Sequence, residues 1–247
     1  MKSPISALGA LAVAFAFSAA PVHATVVISG TRVIFPAAAG ETTLRLNNEG
    51  GQPALVEAWI DEGDPNSTPD SAKVPFIVTP PLARMNAGKG QSLRIVYAGQ
   101  PLPKDRESLF WLNVLEIPPK PANKPGEEQN TLQFAVRSRL KLFYRPGDLP
   151  GDSAHAAQAI GWRLVRDGSG YALEANNASP YFVTFSKLAV KTGGASYTAG
   201  AGMVSPQSSL RLPIKGLDHA LAADNEIDYT VVNDFGATTA YKGKATP

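Results

Sequence analysis

The chain has no cysteine. No disulfide can hold it together, so its fold must rest on ordinary apolar cores. Histidine is scarce as well: His23, His155 and His219 are the three in 247 residues. None stands in a recognisable nucleophile motif. There is no Gly-x-Ser-x-Gly elbow, and Gly168-Ser169-Gly170 reads as a hairpin turn, so an exported hydrolase finds no support and an enzyme is not expected. A glycine-rich phosphate loop is also missing, which argues against ATP-driven action. Asp64, Asn66, Thr68 and Asp70 alternate oxygen side chains as a calcium loop does, but they lack the glycine and closing glutamate of an EF-hand. No cofactor or metal is expected. An excess of one charge is absent too: 23 Lys and Arg stand against 21 Asp and Glu, a net of +2. That is no footprint for nucleic acid or an anionic membrane, and any electrostatic role must be local.

Long apolar runs are confined to the N-terminus. Lys2 precedes an apolar stretch from Ile5 to Ala20, followed by Pro21-Val22-His23-Ala24. A charged start, a hydrophobic region too short to span a bilayer and a small-residue site predict a secretory signal over residues 1–24, cleaved after Ala24. The mature chain would begin at Thr25 in an exported, periplasmic location. No later segment is apolar enough to predict membrane insertion. About 220 residues suffice for two domains of about 100 each.

Period-2 alternation dominates what remains. Strands are predicted over Val26–Phe35, Thr42–Asn48, Pro53–Ile60, Phe76–Thr79, Ser92–Tyr97, Leu109–Ile117 and Thr131–Tyr144. Asn48-Glu49-Gly50-Gly51, the polar Asp61–Asp70 stretch, Asn86-Ala87-Gly88 and Gly99-Gln100-Pro101 supply the turns between them. About seven strands in about 120 residues suit an immunoglobulin-like sandwich. Arg145-Pro146-Gly147-Asp148-Leu149-Pro150-Gly151 then makes a stiff elbow. A second β half follows, with strands over Ala159–Val165, Tyr171–Asn176, Tyr181–Val190, Ser208–Ile214, Ile227–Val232 and Thr238–Tyr241. The predicted division is 25–146 for the first domain, 147–151 for the hinge and 152–247 for the second domain.

Two segments carry the functional signal. Glu107 precedes the aromatic-rich strand in Leu102–Pro118, and Arg137, Arg139, Lys141 and Arg145 crowd the end of the next strand. Charges that close to core strands must be paired or solvated. The region is either an internal ion-pair network or a cleft built for an anion. Strand Thr131–Tyr144 places Leu132, Phe134, Val136, Leu140, Leu142 and Tyr144 on one face and Gln133, Arg137, Arg139 and Lys141 on the other. It either packs wholly in its own core or overhangs, offering Leu132, Phe134 and Val136 to another protein. The loop before it, Pro119–Asn130, is rich in Pro, Lys, Glu and Asn.

Gly30–Pro36 (GTRVIFP), Val78–Pro81, Leu102–Pro118, Leu140–Pro146 and Val231–Gly236 (VVNDFG) together resemble the periplasmic pilus-assembly chaperones of the bacterial chaperone–usher pathway. The resemblance spans nearly the whole mature chain. It implies two immunoglobulin-like β-sandwich domains in a boomerang, with an interdomain cleft. It implies that Arg32 and Lys141 clamp the C-terminal carboxylate of a pilus subunit. Leu132, Phe134 and Val136 would fill the groove that the subunit's missing strand leaves open. It further implies an interdomain salt-bridge network of Glu107, Arg145 and Asp234, and an outer-membrane usher as the second partner. Loop Lys120–Asn130 is somewhat longer than the shortest family versions, but the absence of cysteine favours the short-loop branch. An exposed apolar edge invites cover, and a self-capping homodimer is one form of it. The alternative, an immunoglobulin-like adhesin or pilus component, fits less well: such subunits are usually single incomplete domains with a cysteine pair.

Overall fold

The computed structural model describes residues 25–120, 132–168, 170–217 and 225–246. The predicted signal segment 1–24, most of the loop Pro119–Asn130, Thr131 and His219 lie outside the described residues.

Among the described residues, nine strands make the first domain. They are β1 (Val26–Ile28), β2 (Arg32–Pro36), β3 (Glu41–Asn48), β4 (Ala54–Asp61), β5 (Phe76–Thr79), β6 (Leu82–Met85), β7 (Gly90–Tyr97), β8 (Ser108–Ile117) and β9 (Val136–Arg145). They form two sheets, ordered β1-β3-β7-β5 and β2-β9-β8-β4-β6. Residues alternate along each strand, so each sheet turns one face inward. Phe35, Leu46, Leu93, Ile95, Leu112 and Leu142 are fully buried between them. Phe35, Phe76, Phe110, Tyr97 and Tyr144 stack at one end of this core, with ring centroids 4.9–6.5 Å apart.

The first strand departs from expectation. Val26–Phe35 is not one strand but two, parted at Ser29-Gly30-Thr31, with Gly30 at φ +128°. β1 pairs antiparallel with β3 in one sheet, whereas β2 pairs parallel with β9 in the other. A positive φ of this size is open to glycine and lets the chain change sheets there. The break puts Arg32 at the head of β2. The short edge strand β6 was not foreseen; it follows Pro80-Pro81 and pairs Leu82–Met85 with Ala54–Glu57.

Strand β9 begins at Val136 rather than Thr131, and residues 132–135 are not in a strand. The ladder with β8 ends at Glu116 opposite Val136, and β2 covers β9 only from Lys141 to Arg145. Without a neighbour on either side among the described residues, the earlier residues have no ladder to join.

Helix α1 (Ser153–Gln158) follows the elbow, capped by Asp152, whose Oδ1 accepts from His155 N at 2.8 Å. Period-2 reading missed it, although Asp before an alanine-rich run is a helix-start signal. The second domain then comprises β10 (Gly161–Asp167), β11 (Gly170–Asn177), β12 (Val183–Thr192), β13 (Ala195–Thr198), β14 (Gly202–Val204), β15 (Ser208–Pro213), β16 (Glu226–Val232) and β17 (Thr238–Thr246). Its strand order is β13-β12-β16-β17-β10-β11-β15, with β14 on β12. Trp162, Phe185, Leu173, Leu188, Ile227 and Tyr229 sit in its core. The molecule is thus two β domains, each with its own apolar centre.

Candidate functional site

Parallel pairing of β2 with β9 sets Arg32 directly opposite Lys141. Among the described residues no carboxylate lies within ion-pair distance of either cation. Arg32 Nη1 donates to Val232 O at 2.9 Å, its guanidinium lies 5.7 Å over the Phe143 ring, and its Nε is buried without a hydrogen-bond partner. Lys141 Nζ has a long contact to Thr184 Oγ1 at 3.4 Å. Burial pushes the Arg32 guanidinium below its ordinary pKa, against the pull of Asp234 and Glu107. Burial also pushes the Lys141 ammonium down, and the charge of Arg32 adds to the effect. Two half-buried cations side by side are short of negative charge. An anion between them would relieve both repulsion and desolvation. Beside them lies a cavity of about 190 Å³ lined by Arg32, Phe143, Phe182 and Asp234.

Arg145, at the end of β9, bridges the two domains. Its Nε donates to Glu107 Oε1 at 2.7 Å, while Nη1 and Nη2 donate to Asp234 at 2.7 and 3.0 Å. Glu107 also accepts from Phe182 N at 2.8 Å, and Asp234 accepts from Ser153 Oγ at 3.0 Å. Burial opposes the charge on Arg145, but hydrogen bonds and attraction from Asp234 and Glu107 outweigh it and hold the guanidinium more firmly protonated. Glu107 is 3% exposed, and burial lifts its carboxyl above the ordinary value despite Arg145. Burial also resists the charge on Asp234, yet the hydrogen bonds from Arg145 prevail and its carboxyl lies low.

The apolar overhang is open. Leu132, Phe134 and Val136 are 79%, 71% and 43% exposed, whereas Leu140 and Leu142 on the same face are buried. Among the described residues, the edge of β9 from Val136 to Leu140 has no partner on the β2 side. An unpaired backbone edge therefore leads straight to the two cations.

Comparison with known proteins decides the family. The pili and flagellar-assembly chaperone model, PapD N-terminal domain, matches residues 25–150. The pili assembly chaperone PapD C-terminal domain model matches residues 155–243. The chain belongs to the PapD family of pilus-assembly chaperones. Chaperone protein FimB/FhaD of Bordetella pertussis is 45% identical over 242 residues, covering 96% of this chaperone and 94% of that protein. The crystal structure of the YadV chaperone superposes with a TM-score of 0.76 at 37% identity, covering 90% of this chain and 100% of that one. The SafB chaperone structure from Salmonella enterica, solved in complex with the SafA pilin, gives 0.72 at 29% identity, covering 91% and 98%.

One part of the chaperone's charged face was not anticipated. Arg137 and Arg139 do not stand free beside Lys141. Arg139 Nη2 donates to both oxygens of buried Asp61, at 2.7 and 3.0 Å. Arg137 donates to Asn113 Oδ1 at 2.7 Å and to Ser67 Oγ at 3.1 Å. The two guanidinium groups lie over the Trp59 and Trp111 rings at 4.7 and 4.9 Å. Burial works against the Asp61 carboxylate, but hydrogen bonds from Ser67, Asn113 and Gly63 N, with the charge of Arg139, hold it low. The sequence places Asp61 at the start of the polar Asp61–Asp70 turn. Its position directly after the apolar pair Trp59-Ile60 was the available signal. The cationic row thus divides: three arginines are compensated internally, and Lys141 with Arg32 is left for something else.

Proposed function

We propose that this chaperone holds the C-terminal carboxylate of a pilus subunit between Arg32 and Lys141 and completes the subunit's fold with its own strand. The observation that carries the reading is the opposed pair of cations, without a carboxylate of their own, at the end of an open β edge. On this reading the geometry favours one direction. β2 fills the edge of β9 from Lys141 onward. A partner lying on Val136–Leu140 meets the head of β2, so a carboxylate at Arg32 requires its chain to run parallel to β9. Backbone pairing gives affinity, and Leu132, Phe134 and Val136 enter the subunit's groove at period 2. The pilin complex of SafB supports subunits as partners.

On this reading Glu107, Arg145 and Asp234 hold the elbow angle and so the cleft. The working boundaries are 25–146, 147–151 and 152–247, after removal of 1–24 on entry to the periplasm. Subunits would pass to an outer-membrane usher. The free chaperone, of the short-loop branch, would cover its apolar overhang as a homodimer. Its work is binding, without catalysis. An adhesin or structural role is disfavoured by membership of a chaperone family.

Phe134→Asp tests strand donation. A buried phenyl is worth about 2–3 kcal/mol, and a buried unpaired carboxylate costs several more. Co-purification of a subunit should fall by about 100-fold or more. Phe134 is 71% exposed in the free chain, so the variant should melt with the parent. A collapse in Tm would place Phe134 in the chaperone's own core and overturn the reading.

A further inference from the structure

Glu116, near the end of β8, is 9% exposed and lies opposite Val56 on β4 and Val136, the first residue of β9. Its side chain crosses the sandwich to the start of β1 in the other sheet. There Oε1 accepts from Thr25 Oγ1, and Oε2 accepts from Val26 N at 3.1 Å. Both donors are neutral. The three other buried carboxylates among the described residues, Asp61, Glu107 and Glu174, each hold an arginine. Glu116 is the exception: no side-chain cation among the described residues lies within ion-pair distance of it. A carboxylate taken out of water without a cation is held at a cost.

Thr25 is firmly placed beside it. Thr25 O accepts from Glu49 N at 2.7 Å. Its side chain presses on Gly50, where a Cβ would stand 2.7 Å from Thr25 Cβ. Asn48, 1% exposed, locks that turn: its Oδ1 accepts from Gly50 N at 3.0 Å, and its Nδ2 donates to Gln52 O and Met85 O. Three bonds separate a threonine nitrogen from its own Oγ1, a span of about 3–4 Å. The Thr25 hydroxyl and the next backbone N–H both rest on Glu116, so Thr25 N stands at the edge of the same carboxylate. The other charged side chains in the turns beside it, Glu49 and Lys89, are exposed.

We propose that the α-amino group freed on Thr25 by removal of residues 1–24 is the counter-ion of Glu116. The assignment rests on processing after Ala24 and is independent of the carboxylate anchor. Hydrolysis of the Ala24–Thr25 peptide bond by a signal-removing protease consumes one water. Its hydroxyl goes to the Ala24 carbonyl carbon and its hydrogen to the Thr25 nitrogen, which takes a further proton from solvent. A neutral amide thereby becomes an ammonium below about pH 8, at a spot already set by Glu49, Gly50 and the Thr25 hydroxyl. The buried carboxylate gains a charge-assisted partner. The pair ties β1 to the last rung of the β8–β9 ladder, where the apolar overhang departs. Pairing raises the amine's pKa in the folded protein, so its stabilisation is present below about pH 8 and is lost as pH rises through the raised value. Processing thus completes the base of the first domain.

The test compares two full-length mature chaperones released from a fusion partner, one cut cleanly before Thr25 and one before Ala24, each with and without Glu116→Gln. The glutamine keeps an acceptor for Thr25 Oγ1 and Val26 N, so the fold is retained. At pH 6 the chain beginning at Thr25 should melt about 3–6 °C above the chain that keeps Ala24. Glu116→Gln should erase that gap, and the gap should narrow as pH is raised to about 10. In protein labelled with 13C-threonine, the Thr25 Cα signal should report an amine titrating at least about one unit above the ordinary 7.7–8.0, returning to that range in Glu116→Gln. Equal melting of the two chains, a gap that survives Glu116→Gln, or an amine titrating in the ordinary range would overturn the assignment. Mass spectrometry of the chaperone purified from periplasm is a separate readout. A first residue other than Thr25 would remove the processing reading, and this assignment with it, while leaving Arg32 and Lys141 untouched.

Discussion

Lys141→Met and Arg32→Ala should each reduce capture of a pilus subunit by about 100-fold or more while the free chaperone stays folded. A charge-assisted hydrogen bond contributes roughly 1.5–3 kcal/mol, and truncating one partner of a desolvated pair costs roughly 2–5 kcal/mol. Stability should move the other way for Lys141. Its pKa in the folded protein lies below the ordinary 10.5. Between those two values the unfolded chain binds more protons, so this group's contribution to stability rises with pH across that window. Below the window the protonated ammonium is held at a cost. Removing it should leave Tm equal to or above that of the parent. Isothermal titration with a subunit's C-terminal strand, paired with thermal melts, checks both. A Tm loss as large as the binding loss would make Lys141 an ordinary structural cation.

Arg145→Ala should behave oppositely. It leaves Glu107, 3% exposed, without its cation. It also strips Asp234 of two hydrogen bonds. Breaking a buried pair from one side costs about 3–5 kcal/mol. With Asp234 partly in solvent, the lower end applies, and Tm should fall by roughly 6–12 °C. The acid limb carries two opposed contributions. Asp234 is depressed below 3.8, so its stabilisation is present above that value and lost as pH falls through the folded pKa. Glu107 is raised above 4.5, so its contribution is present below that value and lost as pH rises through the folded pKa. Asp234→Asn should therefore flatten the loss of stability below about pH 4, and Glu107→Gln should not. A melting curve for Arg145→Ala that overlays the parent would show that the bridge between domains does not hold them.

Much of this was legible in the sequence, for reasons that differ by residue. Strands β3, β4, β7 and β8 declared themselves because one buried face imposes period 2 over eight or more residues. The break at Ser29–Thr31 did not, because apolar residues continue on both sides and only the partner strand reveals the change of sheet. The start of β9 was equally invisible: residues 132–135 alternate as a strand should, but strand state depends on neighbours that end at Glu116 and Arg32. Arg32 and Lys141 could be named from resemblance, yet their lack of a carboxylate is a fact of three dimensions. Arg137 and Arg139 look identical to Lys141 in the sequence. Asp61, far away in the chain, separates them.

The most direct measurement compares a cognate pilus subunit carrying its natural C-terminus with the same subunit extended by four residues, each co-expressed with this chaperone and purified from periplasm as a complex. On the proposed anchoring, the extension preserves the apolar strand and displaces only the terminal carboxylate from Arg32 and Lys141. Stoichiometric complex with the natural subunit and a loss of about 10-fold or more with the extended one is the predicted result. Equal yields would contradict the account, since the open edge of β9 would then suffice without the cations at its end.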